Sequence, residues 1–315
     1  MKEAIARTDK MTQAEWLVLR QKGIGGSDAA VACGLSKWKS PLSLWLEKTG
    51  KQEPKPAGES AYWGTVMEPI LQTEFAKRTG LTVEPIPYMF RSKDHPFMLA
   101  NIDGIVRDGN DVALLEIKTA GLYAAAEWTD GLPAEYFIQI QHYLSVCGLS
   151  KAYIAVLIGG NTFQYHKIQR DVAAIKNIIA IESKFWQMVT NEVQPPVDGS
   201  GATADALASM YPNSNKISLI LPDTADEILR RYFAAKEFEA KAKAEKILCE
   251  NQLKDLIKDA ECAKTLAGHS VSWKSVTTNR IDSTKLKTEQ PELVKQYLTA
   301  SSSRKFTVAA AKAVK

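Results

Sequence analysis

The chain has 315 residues, 45% of them hydrophobic and 24% charged, the balance of a globular protein long enough for two domains of ordinary size. No apolar run approaches the roughly 18 residues needed to cross a bilayer, residues 1–22 are too polar for a secretory signal, and Cys33, Cys147, Cys249 and Cys262 form no C-x-x-C pair. These features argue against a membrane protein, a disulfide framework and structural zinc, and a cytoplasmic location is expected. The net charge of +4 is uneven: residues 1–200 carry −1, residues 201–260 carry −1 and residues 261–315 carry +6, so the basic end suits either a polyanion or plain solvation.

In chain order, Thr12 to Leu19 reads as a short amphipathic helix with Thr12 and Glu15 at capping-box spacing, and it delivers Arg20. Gly23 to Ala30 (GIGGSDAA) is a glycine-rich turn into a helix whose first N–H groups are unpaired and whose dipole end is positive. A phosphate fits there, with a hydroxyl from Ser27 and a bidentate guanidinium from Arg20. A helix simply capped by Ser27 fits the same residues. Ser40-Pro41 opens a helix to Gly50, and 51–59 is an exposed loop. About Tyr62 to Thr79 reads as a strongly amphipathic helix with Val66, Ile70, Leu71 and Phe75 as its stripe, Gly80 as its stop and Glu68 just before Pro69. Leu81 to Phe90 is strand-like but broken by Pro85 and Pro87.

Asn101 to Thr119 (NIDGIVRDGNDVALLEIKT) has the pattern of a β-hairpin: Ile102 to Val106, turn chemistry at 107–111, then Val112 to Thr119. Alternation puts Glu116 and Lys118 on one face, with Leu115 and Ile117 on the other. If the hairpin brings Asp103 beside Glu116, two carboxylates converge next to an ammonium, and a hard cation such as Mg²⁺ or Mn²⁺ relieves their repulsion. Phosphodiester hydrolysis is the chemistry such a group serves. An exposed strand with a surface Glu–Lys pair fits so loose a pattern equally well.

Leu122 to Thr129 reads as helical, and Ala134 to Cys147 as a longer helix with Gln139, Tyr143 and Val146 on one face. Lys151 to Ile158 is a buried strand, Thr162 to Ile168 an alternating one, and Asp171 to Val189 a helix, before Gln194-Pro195-Pro196 closes the domain. The order describes an α/β sandwich. His95, His142, His166 and His269 show no ligand spacing.

Several separated motifs in this order resemble the YqaJ-like phage recombinases, relatives of lambda exonuclease within the PD-(D/E)XK nuclease superfamily. They are E-W-L-V-L-R (Glu15 to Arg20), G-G-S-D-A-A (Gly25 to Ala30), W-G-T-V-M-E-P (Trp63 to Pro69), N-I-D-G (Asn101 to Gly104), L-E-I-K-T (Leu115 to Thr119) and Q-I-Q-H-Y (Gln139 to Tyr143). The resemblance spans roughly residues 12–190. It implies a restriction-endonuclease-like core, a central mixed sheet flanked by helices, over residues 1–199. It also implies a Mg²⁺-dependent 5′→3′ exonuclease on double-stranded DNA ends, with Mn²⁺ as a substitute and two ions per site, which releases 5′-phosphomononucleotides. The 3′ single-stranded tail would pass to a phage annealing protein, in the host bacterium of a phage or prophage. By the same resemblance Asp103 and Glu116 bind the metals with Glu68 and the Ile117 carbonyl, Lys118 activates the water, Gln139 orients it or the phosphate, and Arg20 and Ser27 hold the 5′-phosphate. A homo-oligomeric ring, a trimer foremost, is implied as well. A structure-specific or restriction-like endonuclease uses the same core and is the alternative. The motif reads I-D rather than P-D before Gly104, which leaves the ligands in place.

Residues 200–315 are additional to the compact lambda-type enzyme. Pro222 to Ala260 reads as one long helix or a helical pair with Ile228, Leu229, Tyr232, Phe233, Ile247, Leu248, Leu256 and Ile257 as its apolar stripe, a coiled coil or subunit contact. His269 to Arg280 alternates like a hairpin strand and Ser301 to Val308 like another, and they offer Trp273, Lys274, Arg280, Arg304, Lys305 and Phe306 to DNA phosphates or bases, so that this tail is expected to contact DNA near the channel entrance or to dock the annealing partner.

Overall fold

The structure of the chain, a computed structural model, describes residues 2–53, 58–109, 111–129 and 131–310, and these fall into two units, Met1–Tyr211 and Pro212–Lys315. The first unit runs β1 (Lys2–Arg7), α1 (Gln13–Arg20), α2 (Gly26–Ala32), α3 (Pro41–Lys48), α4 (Glu59–Thr79), β2 (Thr82–Pro85), β3 (Tyr88–Ser92), β4 (Leu99–Asn101), β5 (Gly104–Asp108), β6 (Asp111–Ala120), α5 (Ala134–Cys147), β7 (Lys151–Ile158), β8 (Thr162–Gln169), α6 (Val172–Thr190) and α7 (Gly201–Met210). The central sheet has the order β2-β5-β6-β7-β8; only β6 and β7 are parallel, joined through a 3-10 turn at Leu122–Trp128 and α5. β1, β3 and β4 form a second, antiparallel sheet, because Ile86 and Pro87 divide the 81–90 segment between the two.

Local chemistry explains most of these boundaries. Thr12 and Glu15 form the reciprocal cap expected, Thr12 N–H donating to Glu15 Oε2 at 2.8 Å and Glu15 N–H to Thr12 Oγ1 at 3.3 Å. Ser40 caps α3 with Pro41 in its first turn, and Gly80, at φ 71°, ends α4 where a left-handed residue is needed. Alternation along β6 buries Leu115 and Ile117 against Leu71 and Phe75 of α4, and Leu114 against Ile140 and Leu144 of α5. A third cluster joins α2, α3, α6 and α7 around Ile24, Leu42, Trp45, Phe185 and Ala206, so α7 lies in the first unit.

Three expectations are corrected. Of the expected α4 stripe, Leu71 and Phe75 are buried, but Val66 and Ile70 are exposed, Ile70 by 55%; Gln72 completes the buried face, which is rotated toward Glu68. Asp103 sits in the bend just before β5 and not within the strand. The C-terminal hairpin pairs β9 (Cys262–Lys264) with β10 (Ser270–Ser272), while Ser301 to Val308 forms no strand, because the 265–269 turn closes a more local pairing. In the 51–59 loop, residues 54–57 lie outside the described residues.

The second unit begins with α8 (Thr224–Ile257), one unbroken helix of 34 residues, and after the β9–β10 hairpin ends in α9 (Ser283–Glu289), α10 (Pro291–Gln296) and irregular chain. Along α8, Ile228, Leu248 and Leu256 of the expected stripe are exposed, and Ile257 is buried.

Candidate active site

The β5–β6 register sets Gly104 opposite Leu115, which leaves Asp103 level with Glu116 and Ile117. Asp103 Oδ2 accepts the Ile117 N–H at 2.7 Å, so the carboxylate replaces the next rung of the ladder and is locked beside β6. Its backbone is held from the other side: Gln72, one turn after Glu68 on α4, donates from Nε2 to the Asp103 carbonyl at 2.9 Å and faces Glu68 Oε1 at 3.4 Å.

Glu116 is 2% exposed and faces α5. Its Oε1 accepts from Gln139 Nε2 at 2.6 Å and from the Lys118 ammonium, while its Oε2 is buried with no hydrogen-bond partner. Lys118 also lies over the Tyr136 ring, 5.5 Å from its centroid. Gln139 is therefore an inward-facing side chain rather than a solvated one. Its amide also donates to Tyr143 Oη at 3.3 Å.

The charges in this group are coupled. Burial first, and then the Glu116 carboxylate, push the Asp103 carboxyl well above the usual range, and the same two causes in the same order raise Glu68. Burial works to lower Lys118, but Glu116 and Asp103 outweigh it and hold the ammonium above the ordinary lysine range. Among the described residues no three His, Cys, Asp or Glu side chains are drawn close enough to cage a metal ion; the cation at the site is Lys118. The donor set nonetheless fits a hard divalent ion: an orphaned, buried carboxylate oxygen on Glu116, and two further carboxyls that burial and a like charge hold toward the protonated form.

A second cluster is built on the glycine-rich turn. Ile24 N–H donates to the Phe97 carbonyl at 2.7 Å and Leu99 N–H to the Ile24 carbonyl at 2.8 Å, so the turn is stitched to β4, two residues before the Asp103 bend begins. A Cβ on Gly23 would lie 2.6 Å from the Phe97 oxygen, which excludes any side chain there. Arg20 Nη2 reaches both Ser27 Oγ at 3.1 Å and Asp28 Oδ1 at 2.8 Å, and its guanidinium covers the Trp16 ring. Asp28 Oδ2 accepts from Lys48 Nζ at 2.7 Å and from Gly25 N–H at 3.1 Å, so the cap of α2 is Asp28 and not Ser27. Burial pushes the Asp28 carboxyl up, but Arg20 and Lys48 outweigh it and hold it far below the carboxylate range; Glu47 is a second carboxylate acting on both cations. Arg20, Asp28 and Lys48 line a cavity of about 1410 Å³ together with Trp16, Tyr62 and Asn101.

One contact joins the two clusters. A Cβ on Gly26 would fall 2.4 Å from the Tyr143 ring, so the ring packs directly against the start of α2 while its hydroxyl meets Gln139. Arg20, Ser27, Glu68, Asp103, Glu116, Ile117, Lys118 and Gln139 are thus gathered in the first unit, whereas Trp273, Lys274, Arg280, Arg304 and Lys305 belong to the second. The sequence reading did not single out Gln72, Lys48 or the capping role of Asp28. Their signals were weak: a Gln at helical spacing from Glu68, a Lys ending α3, and an acid three residues past Gly25.

The model of the YqaJ-like viral recombinase domain matches residues 15–150, the stretch that carries every residue of both clusters. YqaJ of Bacillus subtilis (strain 168) is 37% identical over 312 residues, 97% of each chain. Among solved structures, an alkaline exonuclease from Laribacter hongkongensis is similar at 22% identity over 57% of this chain and 94% of its own, with a TM-score of 0.47. A phage-related exonuclease from Haemophilus somnus is similar at 14% identity over 56% and 99%, with a TM-score of 0.41. No helix among the described residues is long and apolar enough to cross a membrane. Identity on this scale along nearly the full length of the Bacillus protein places the chain in the family of YqaJ-like viral recombinase domains.

Proposed function

We propose that the chain is a metal-dependent 5′→3′ exonuclease on double-stranded DNA that leaves a 3′ single-stranded tail for a phage annealing protein. The observation that carries this reading is the junction of the two clusters through Tyr143: a carboxylate–ammonium group suited to hydrolysis lies one side chain away from the Arg20 guanidinium and the Ser27 hydroxyl, donors suited to a terminal phosphate.

Asp103, Glu116, Glu68 and the Ile117 carbonyl would hold the Mg²⁺ ions, with Mn²⁺ able to replace them. When bound, such ions supply Lewis-acid polarisation of a phosphoryl oxygen and a water of lowered pKa. Lys118, held as an ammonium on the Glu116 carboxylate, would orient the water that the ions acidify and bring it in line with the phosphorus, and Gln139 fixes the Glu116 rotamer. Arg20 and Ser27 bind the 5′-phosphate, with Asp28 and Lys48 holding Arg20 in place, so that each cut regenerates the charged end the pocket grips. A ring of subunits around the duplex would keep the enzyme on its substrate between cuts.

The test compares linear duplexes bearing 5′-phosphate or 5′-hydroxyl ends with a covalently closed circle, in Mg²⁺ or EDTA, for the wild type and Asp103→Ala. Metal-dependent loss of the linear DNA alone, faster with the phosphate and abolished by the substitution, is the expected result. Cleavage of the circle would sink the exonuclease and leave an endonuclease of the same fold.

A further inference from the structure

The C-terminal arm contributes little to the folded core and displays what a nucleic acid binds. From residue 261 to residue 310 no side chain is buried: Trp273 is 51% exposed, Tyr297 79% and Phe306 86%. Apart from the short β9–β10 ladder and the two helices α9 and α10, the backbone has no ladder partner, so residues 273–282 and 297–310 run as irregular chain. A segment that buries so little apolar surface gains almost nothing toward the entropy of its own ordering.

What it presents is a net charge of +6 over residues 261–315, in a chain whose remainder is slightly negative. The cations stand next to aromatic rings: Trp273 precedes Lys274, and Arg304 and Lys305 precede Phe306, each among Ser and Thr residues that accept or donate hydrogen bonds. The backbone at Trp273 is also held, since its main-chain N–H donates to the Glu261 carbonyl at 2.9 Å, one step beyond the hairpin ladder, while the residue stays half exposed. Exposed rings interleaved with cations suit unpaired bases and their phosphates. They suit a duplex less well, because stacked pairs offer no ring faces, and neither α9 nor α10 is long enough to lie along a groove.

We propose that this arm is a binding surface for single-stranded DNA, with Trp273 and Phe306 as stacking platforms and Lys274, Arg280 and Lys305 as phosphate contacts. It rests on the exonuclease reading for its occupant, the strand left unpaired as its complement is removed. Held there, that strand cannot re-anneal, and the arm keeps the enzyme attached to its own product.

The test uses the full chain carrying Asp103→Asn, in EDTA, with a fluorescent oligothymidylate and a duplex of equal length at several salt concentrations. Two arm variants are compared with this parent: Trp273→Ala with Phe306→Ala, and Lys274→Gln with Arg280→Gln and Lys305→Gln. The aromatic pair is expected to weaken oligothymidylate binding at least about tenfold with an unchanged salt slope. The cation triple should flatten that slope by about 2, from roughly 0.7 per phosphate contact. Duplex binding should change little in the aromatic pair. Unchanged oligothymidylate binding in both variants would overturn the proposal and leave the arm to a protein partner, and equal loss on duplex and single strand would overturn it too. Digestion of linear duplex by the wild-type chain separates the two readings: digestion with an indifferent arm removes only this inference, and arm-dependent binding without digestion removes only the exonuclease.

Discussion

Asp103 takes up its proton in the folded chain at a pH where the unfolded chain has already lost it, because burial and Glu116 both oppose its charge. The folded state therefore binds more protons than the unfolded one as pH rises from about 4 through the raised value, and stability falls across that window. Asp103→Asn removes this cost. In EDTA its melting midpoint is expected to lie a few degrees above wild type near neutral pH and to match it at about pH 4, a comparison that calorimetry at two pH values settles. His142 behaves in the opposite sense. Its Nδ1 meets Glu182 Oε1 at 2.7 Å and its Nε2 the Leu99 carbonyl at 2.8 Å, all fully buried. Burial works to lower its pKa, but Glu182 outweighs it and raises the value. The pair's stabilisation is complete below the unfolded value of about 6.5 and is lost as pH rises through the folded one. His142→Ala should cost roughly 3–5 kcal/mol in urea denaturation at about pH 6, because it strands a buried carboxylate. The sequence showed only that His142 lacks ligand spacing. It could not name Glu182, forty positions away, since only the packing of α5 on α6 brings them together.

The helices and strands were readable where local chemistry sets them. The caps at Thr12 and Ser40, the stop at Gly80 and the alternation in β6 are decided within a few residues. The orientation of α4 was readable only in part: Leu71 and Phe75 were named and are buried, but Val66 and Ile70 match the helical period as well and are exposed, and Gln72, bonding the Asp103 carbonyl, takes their place. β1 escaped notice since six residues at the edge of a sheet carry only a weak alternation. Two substitutions probe this scale. Phe75→Ala, which empties a site shared with Tyr153 at 5.4 Å between ring centres, should cost roughly 3–5 kcal/mol in chemical denaturation. Gly26→Ala forces the Tyr143 ring away from α2 and should cost about 1–3 kcal/mol. It should also lower the preference for a 5′-phosphate over a 5′-hydroxyl end in the digestion assay, and an unchanged preference would separate the two clusters.

For the molecule as a whole, the resemblance implied an additional C-terminal region and the charge count made its basic character plain, but the partner strand of its hairpin was not legible, because three-residue strands carry no usable period. Between α7 and α8, residues 212–223 are exposed and lack regular structure, and Lys216 holds a positive φ of 59°. Brief trypsin treatment is expected to cut after Lys216 early and to leave a folded fragment of the first unit, identified by mass spectrometry. The sheet of that unit has a further consequence in time. β5 and β6 are sequence neighbours joined by a tight turn, whereas the parallel β6–β7 pair waits on the whole α5 crossover. Hairpins close in about 1–10 μs, and crossover pairing is slower. Asp103 and Glu116 are therefore expected to meet early in refolding, before Gln139 or the Tyr143 ring arrives, and on the proposed metal-holding role of these two carboxyls a divalent cation in the refolding buffer would hasten that step.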